Sequence, residues 1–266
     1  MSPLDKDSYY GQPGLFVSQG YKEIHISVAF TWDIEKANWL KEQWEMIAPV
    51  RIGGPAVDGE GDEFVPGMYL RDGITITSRG CPNHCSWCFV KKPLKELKIN
   101  PGNNTIDNNL LACSNSHLDK VFLMLRSQHR IKFSGGLEAV RITDKIAEGI
   151  RSLNLRQLWT AYDHIDNFKA VKKAFAILTK YFRRDQLGCF VLIGFGDDTM
   201  DEAESRLRQI LELGGLPFAM LYRDTAGAFP QPEKPWRKFQ KYWLGPAYVK
   251  YKLKEMRCQK EGCLNE

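Results

Sequence analysis

The chain has 266 residues, 43% of them hydrophobic, and a formal net charge of +5 at pH 7. That size and apolar content suit one large domain, or one with a small appendage, around a substantial core. No apolar run reaches the length that crosses a bilayer, and Met1 to Tyr10 lacks the basic and apolar pattern of a secretion signal, so a soluble, cytoplasmic protein without membrane partners is expected.

Glu23 to Phe30 reads as a strand, Asp33 to Met46 as a helix capped by Asp33, and Pro49 to Gly53 as a second strand. An acidic, glycine-rich stretch then runs to Gly67, so residues 1–70 form a small βαβ segment. His25, inside the first of these strands, reads as packing. The segment is expected to cover the edge of an open sheet, which would otherwise present unpaired backbone groups.

The next strand, Ile74 to Thr77, leads straight into Cys81, Cys85 and Cys88, a CxxxCxxC triplet. Seven cysteines, an odd number with three clustered, fit metal ligation in a reducing compartment better than a disulfide framework. Soft thiolates select zinc, copper(I) or iron–sulfur clusters. A structural zinc site is a closed tetrahedron and needs a fourth ligand, for which His84, inside the loop, and the distant Cys113 are the candidates. An iron–sulfur cluster held at three corners leaves one iron open to a chelating small molecule. Gly80 and Pro82 suit the turn.

The triplet, with the aromatic Trp87 just before its last cysteine, resembles the radical S-adenosylmethionine enzyme superfamily. The resemblance implies a 4Fe-4S cluster on Cys81, Cys85 and Cys88, its free iron chelated by S-adenosylmethionine. An electron donor of the reduced flavodoxin or ferredoxin type would supply the electron. Cleavage then gives methionine and a 5′-deoxyadenosyl radical that takes hydrogen from a substrate. Residues 1–70 resemble the last βαβ portion of the cobalamin-binding domain that precedes the radical domain in one branch. They are too short for the whole domain and lack its Asp-x-His-x-x-Gly motif, so no cobalamin is expected.

Beyond the triplet, short apolar runs alternate with helix-length segments, the pattern of a parallel sheet. A strand near Ile99 to Asp107, broken by Asn100-Pro101-Gly102, precedes a helix from Asn115 to Gln128. Strands at Arg130 to Phe133, Gln157 to Tyr162, Gly188 to Ile193 and Pro217 to Tyr222 alternate with helices at Thr143 to Leu153, Phe168 to Phe182 and Met200 to Leu213. Six βα units are counted, and they resemble the open (β/α)6 partial TIM barrel of the superfamily, spanning residues 71–233 with the cluster loop beyond the carboxyl ends of the strands.

The strand ends supply candidate cofactor contacts. Asp107, Asn108 and Asn109 resemble an Asp-Asp-Asn variant of the superfamily's Gly-Gly-Glu motif that would accept from the methionine ammonium; Asp and Asn are equally ordinary turn formers. Glu138 and Arg141 resemble a Gly-Leu-Glu-Ala-x-Arg pattern, with Arg141 for the methionine carboxylate and Glu138 for the ammonium or a ribose hydroxyl, or else they form a surface i, i+3 ion pair. Asp163 is a ribose acceptor or a helix cap. Gly194 admits an adenine against its strand or simply turns the chain. No catalytic side chain stands out.

From Lys234 to the end, residues 234–266, the chain interleaves basic and aromatic residues. That composition suits nucleic-acid contact, or helices that bury aromatics and leave lysines wet. Cys258 and Cys263 could join Cys113 or Cys189 around an auxiliary cluster, or lie in a frayed tail. The expected function is that of a radical S-adenosylmethionine enzyme whose substrate is unidentified, nucleic acid among the candidates. The alternative is a metal-stabilised nucleic-acid-binding module.

Overall fold

The computed structural model describes residues 2–17, 20–57 and 69–261. Most of the acidic, glycine-rich stretch and Cys263 therefore lie outside the described residues. At the amino end, β1 (Ile24–Ser27), α1 (Ile34–Trp44) and β2 (Val50–Gly53) form the βαβ segment, with β1 and β2 parallel and Ile24 opposite Val50. Asp33 stands at the cap position of α1, but its side chain caps nothing. A 3-10 turn over Thr31–Asp33 precedes the helix, and the amide of Ile34 donates to the Thr31 carbonyl instead.

The main sheet has six parallel strands in the spatial order β3 (Ile74–Thr75), β6 (Asn104–Thr105), β7 (Ile131–Leu137), β8 (Leu155–Tyr162), β9 (Leu187–Ile193) and β10 (Leu216–Leu221). In the chain connecting β3 to β6 lies an antiparallel pair of its own, β4 (Ser78–Arg79) with β5 (Lys95–Glu96), in which Ser78 faces Glu96 and Arg79 faces Lys95. The expected strand from Ile74 to Thr77 is thus divided. Its first half stays in the sheet, and the chain then turns off into a hairpin.

Helices α2 (Asn115–Arg126), α3 (Asp144–Arg151), α4 (Phe168–Leu178) and α5 (Met200–Glu212) follow β6, β7, β8 and β9, and α6 (Glu233–Leu244) and α7 (Pro246–Glu261) follow β10. The first of the expected βα units has no helix, because the hairpin occupies the connection from β3 to β6. Ser114, Thr143 and Thr199 cap α2, α3 and α5 through their hydroxyls. Strand β7 runs on through Ser134-Gly135-Gly136, beyond the expected end at Phe133. Gly135 makes this possible, since a Cβ there would stand 2.2 Å from the Asp107 carbonyl oxygen.

One core lies between the sheet and its helices. The buried residues of β8 and β9, Leu158, Tyr162, Leu187, Val191 and Ile193, meet Val121, Ile150, Phe175, Leu207 and Ile210 of the helices. The carboxyl-terminal helices belong to this layer. Trp236 and Trp243 of α6 and Met256 of α7 are buried in the same core, and the Gln240 amide donates to the Ala219 carbonyl of β10 at 3.1 Å. The expected boundary at Lys234 therefore falls in the first turn of α6, and Cys258 lies on α7 rather than in a frayed end.

The amino-terminal segment reaches both edges of the sheet, while its described strands β1 and β2 pair only with each other. Its Thr31 hydroxyl donates to the Thr225 carbonyl at 2.5 Å, and the Arg223 guanidinium lies 4.2 Å from the Trp32 ring centroid; both partners follow β10. On its other side Trp32 meets Phe89, in the loop beyond β3, edge to face at 6.4 Å. Among the described residues no helix is long and apolar enough to cross a membrane.

If α6 is a core element, Trp243→Ala, which removes a side chain only 1% exposed, will cost about 3–5 kcal/mol in urea unfolding. Tyr251→Ala, at a side chain 59% exposed, will change stability by no more than about 0.5 kcal/mol. Equal small effects would show the tail to be an appendage.

Candidate metal centre

The cysteine loop starts where Asp107 takes the chain out of the sheet. Its Oδ1 accepts from the Thr77 amide (2.8 Å), the Thr77 hydroxyl (2.9 Å), the Ser78 hydroxyl (2.9 Å) and the Ser78 amide. Those two amides are thereby occupied by a side chain instead of a neighbouring strand. Asp107 is 2% exposed, and its Oδ2 is buried without a partner. Burial raises the Asp107 pKa, and the hydrogen bonds from Thr77 and Ser78 oppose that rise.

Next to it, Asn108 accepts from the Gly80 amide at 3.0 Å. Gly80 has φ +79°, and a Cβ on it would stand 2.0 Å from the Pro93 carbonyl oxygen, so only glycine fits where the two arms of the hairpin meet. The Cys81 amide donates to the Lys92 carbonyl at 3.0 Å, which closes the loop at its base. Within the loop the Cys88 amide donates to the Cys85 carbonyl at 3.2 Å, and Lys91 Nζ donates to that same oxygen at 2.9 Å.

Glu138 ties this loop to the ends of the next two strands. Its carboxylate accepts from Asn83 Nδ2 (2.8 Å), Asn109 Nδ2 (2.7 Å) and Arg141 Nε (2.6 Å). Burial opposes ionisation here, but the hydrogen bonds from Asn109, Asn83 and Arg141 prevail and hold the carboxyl below its ordinary range. The i, i+3 ion pair is therefore present, as one arm of a larger network. Cys81 Sγ lies 3.4 Å from both the Asn83 amide nitrogen and Asn109 Nδ2. Asn109 Oδ1 is buried with no donor.

On the other side of the loop, Trp87 stacks on His164 at 6.2 Å and meets Phe195 edge to face at 5.8 Å. These partners follow β8 and β9. Burial raises the Asp163 pKa, and a hydrogen bond from Trp87 and the charge of Arg206 pull it back. Asp163 caps no helix: His164 precedes the following 3-10 turn and Asn167 precedes α4.

The carboxylate of Asp198 holds the loop after β9, accepting from Arg206 Nη2 and from the Gly194 amide, each at 2.7 Å. Gly194 has φ +74°, and its missing Cβ leaves room for the Pro230 ring, whose Cγ would be 2.7 Å away. The turn at Gly194 is present, and Gly194 also lines a cavity with Tyr222, Pro230 and Trp236.

Cys81, Cys85 and Cys88 are all half-buried, and their thiols are free. Burial raises the pKa of Cys85 and Cys88, and repulsion from the neighbouring thiolates adds to it. Such a set suits a cationic core that neutralises it, with N–H groups near sulfur to tune it. Among the described residues no group of three or more His, Cys, Asp or Glu side chains is placed to hold a metal ion.

His84 is exposed, and Cys113 is buried in the core. Cys189 is fully buried in β9, and burial raises its pKa to about 12. His25 stacks on Tyr69 at 5.6 Å and pairs with Glu23 at 3.4 Å.

Of the expected site residues, the fold groups Cys81, Asn109, Glu138 and Arg141 on one side of the loop and Trp87 with Asp163 on the other; Asp107 and Asn108 lie beneath, in tethering roles. Asn83, Thr77, Ser78 and Phe195 complete the arrangement without having stood out in the sequence. Only the position of Asn83 inside the triplet could have signalled it. A scan against protein-family models gave no match, and a search of curated proteins gave no relative.

Replacing Glu138 by Ala strands three donors and will cost about 2 kcal/mol. Amide exchange over the loop from Cys81 to Phe89 will quicken while that of β8 and β9 stays slow. Unchanged exchange in the loop would remove Glu138 from its anchoring role.

Proposed function

We propose that this chain is a radical S-adenosylmethionine enzyme, with Cys81, Cys85 and Cys88 holding a 4Fe-4S cluster. The observation that carries the reading is three half-buried thiols on one hairpin loop, of which Cys81 is joined through Asn83 and Asn109 to the Glu138–Arg141 pair. The sheet order supports it too. Each strand of the main sheet lies beside the one that precedes it in that sheet, the order of a singly wound (β/α)6-type partial barrel rather than a doubly wound sheet, and such barrels carry their chemistry beyond the strand carboxyl ends.

A bound cluster with S-adenosylmethionine supplies one-electron cleavage to methionine and a 5′-deoxyadenosyl radical that abstracts hydrogen. The residues of the chain bind and orient. Asn109 Oδ1, buried and lacking a donor, suits the methionine ammonium. Arg141, 40% exposed and held through Nε by Glu138, offers its remaining guanidinium donors to the methionine carboxylate. Asp163 is an acceptor for a ribose hydroxyl, and Trp87 shields that side of the loop from water. Asp107 and Asn108 act indirectly, by fixing the hairpin. Gly194 keeps the Asp198 loop turned. A reduced flavodoxin- or ferredoxin-type donor is the expected electron source.

The test is anaerobic purification, reconstitution with iron and sulfide, reduction, and quantification of 5′-deoxyadenosine. Product is expected from the native chain and none from Cys85→Ala. Arg141→Ala is expected to weaken S-adenosylmethionine binding about tenfold, equivalent to about 1.4 kcal/mol, with iron content unchanged. Tightly bound zinc with no cleavage would contradict the proposal.

A further inference from the structure

The positive charge of the chain resides in its last two helices. From Glu233 to Glu261 there are nine Lys and Arg against three Asp and Glu, a net charge of +6, while the whole chain has +5; the remainder is therefore net −1. On α6, Lys234, Lys238 and Lys241 recur at i, i+4 and i+7, and on α7 Lys250, Lys254 and Arg257 repeat that spacing, so each helix carries a basic stripe along one face.

All six side chains are exposed, and none forms an ion pair among the described residues. The acids that could neutralise them are taken: Glu233 by Arg237, and Glu255 by Arg208 and Lys252. The aromatic residues divide in the same way. Trp236 and Trp243 are buried, whereas Tyr242 is 50% and Tyr251 59% exposed. Lys238 lies 5.8 Å from the Tyr242 ring centroid.

A second observation comes from outside these helices. Arg184, in the 3-10 turn before β9, has a buried Nη1 with no acceptor. Burial, and after it the charge of Arg257, lower its pKa. An anion would satisfy that Nη1.

We infer that the exposed face of α6 and α7 is a binding surface for single-stranded nucleic acid, its six unpaired cations contacting phosphates and Tyr242 and Tyr251 stacking on unpaired bases. Tyr242 stacks on Tyr248 at 5.6 Å and Tyr251 meets that same ring at 6.4 Å, and such an aromatic run on a basic helical face suits unpaired bases, each of which presents a flat ring. On the opposite, buried face of α6, Trp236 lines a cavity of about 240 Å³ with Gly194, Tyr222 and Pro230, at the carboxyl ends of β9 and β10.

The test uses the full chain and a fluorescein-labelled oligouridine about 20 nucleotides long, with fluorescence anisotropy read across a salt series. Micromolar affinity is expected at about 50 mM salt, with log K falling against log salt at a slope of roughly −4 for six phosphate contacts. The variant carrying Lys238→Gln, Lys241→Gln, Lys250→Gln and Lys254→Gln is expected to lower that slope by roughly 3 while keeping its melting temperature. If the fourfold variant does not fold, Lys250→Gln with Lys254→Gln gives roughly half that change.

A slope unaltered by these substitutions, no binding at low salt, or tighter binding to phosphatidylserine vesicles or to polyglutamate would overturn the inference. Formation of 5′-deoxyadenosine is measured on the same preparations. Oligonucleotide binding that persists in Cys85→Ala supports this surface whether or not the native chain cleaves S-adenosylmethionine. Cleavage without any oligonucleotide binding overturns the surface alone.

Discussion

The arrangement depends on one buried carboxylate. Asp107 collects the amides and hydroxyls of Thr77 and Ser78 on a single oxygen, and in doing so takes two backbone donors away from the sheet. With those amides engaged, the chain leaves β3 after two residues and pairs with itself as the β4–β5 hairpin. Unpaired buried amides cost about 1–3 kcal/mol each, so this side-chain substitute for a strand neighbour is what allows the departure. The cysteine loop is the far end of that hairpin, and its place beyond the sheet follows from the same contact.

Two further constraints hold the loop from its sides. Glu138 gathers Asn83, Asn109 and Arg141, tying the loop to the ends of β6 and β7. The buried Asp198–Arg206 pair fixes the turn after β9 and with it Phe195, against which Trp87 rests. Such a pair is weak evidence for stability, because desolvation offsets much of the attraction. Its effect here is positional. The amino-terminal segment adds a third restraint through Trp32, which touches Phe89 beyond one edge of the sheet and Arg223 beyond the other. A sheet whose edge strands do not pair with each other is thereby bridged at its carboxyl end.

Much of the parallel sheet was legible because apolar burial dictates it. The continuous run at Leu187 to Ile193 is buried along nearly its whole length, and β8, β9, β10, α4 and α5 begin within two residues of their expected starts. The division of the first strand was not legible, since its cause is a side chain about thirty positions away. The missing helix of the first unit has that same origin.

Trp236 and Trp243 stand seven residues apart on one helical face, yet the lysines between them gave an equally good account as a wet surface; packing against β10 decides that both descriptions hold, on opposite faces. At the candidate site the cysteines announced themselves by spacing. Asn83 did not, because a hydrogen bond to a glutamate in a distant segment leaves no local pattern.

The most direct measurement of the central claim is electron paramagnetic resonance of the anaerobically reconstituted, reduced protein before and after S-adenosylmethionine is added. A four-iron signal that shifts on addition, and that Asp107→Ala weakens by disordering the hairpin, is what this account predicts. A signal indifferent to S-adenosylmethionine, or a site saturated by four protein ligands, would contradict it.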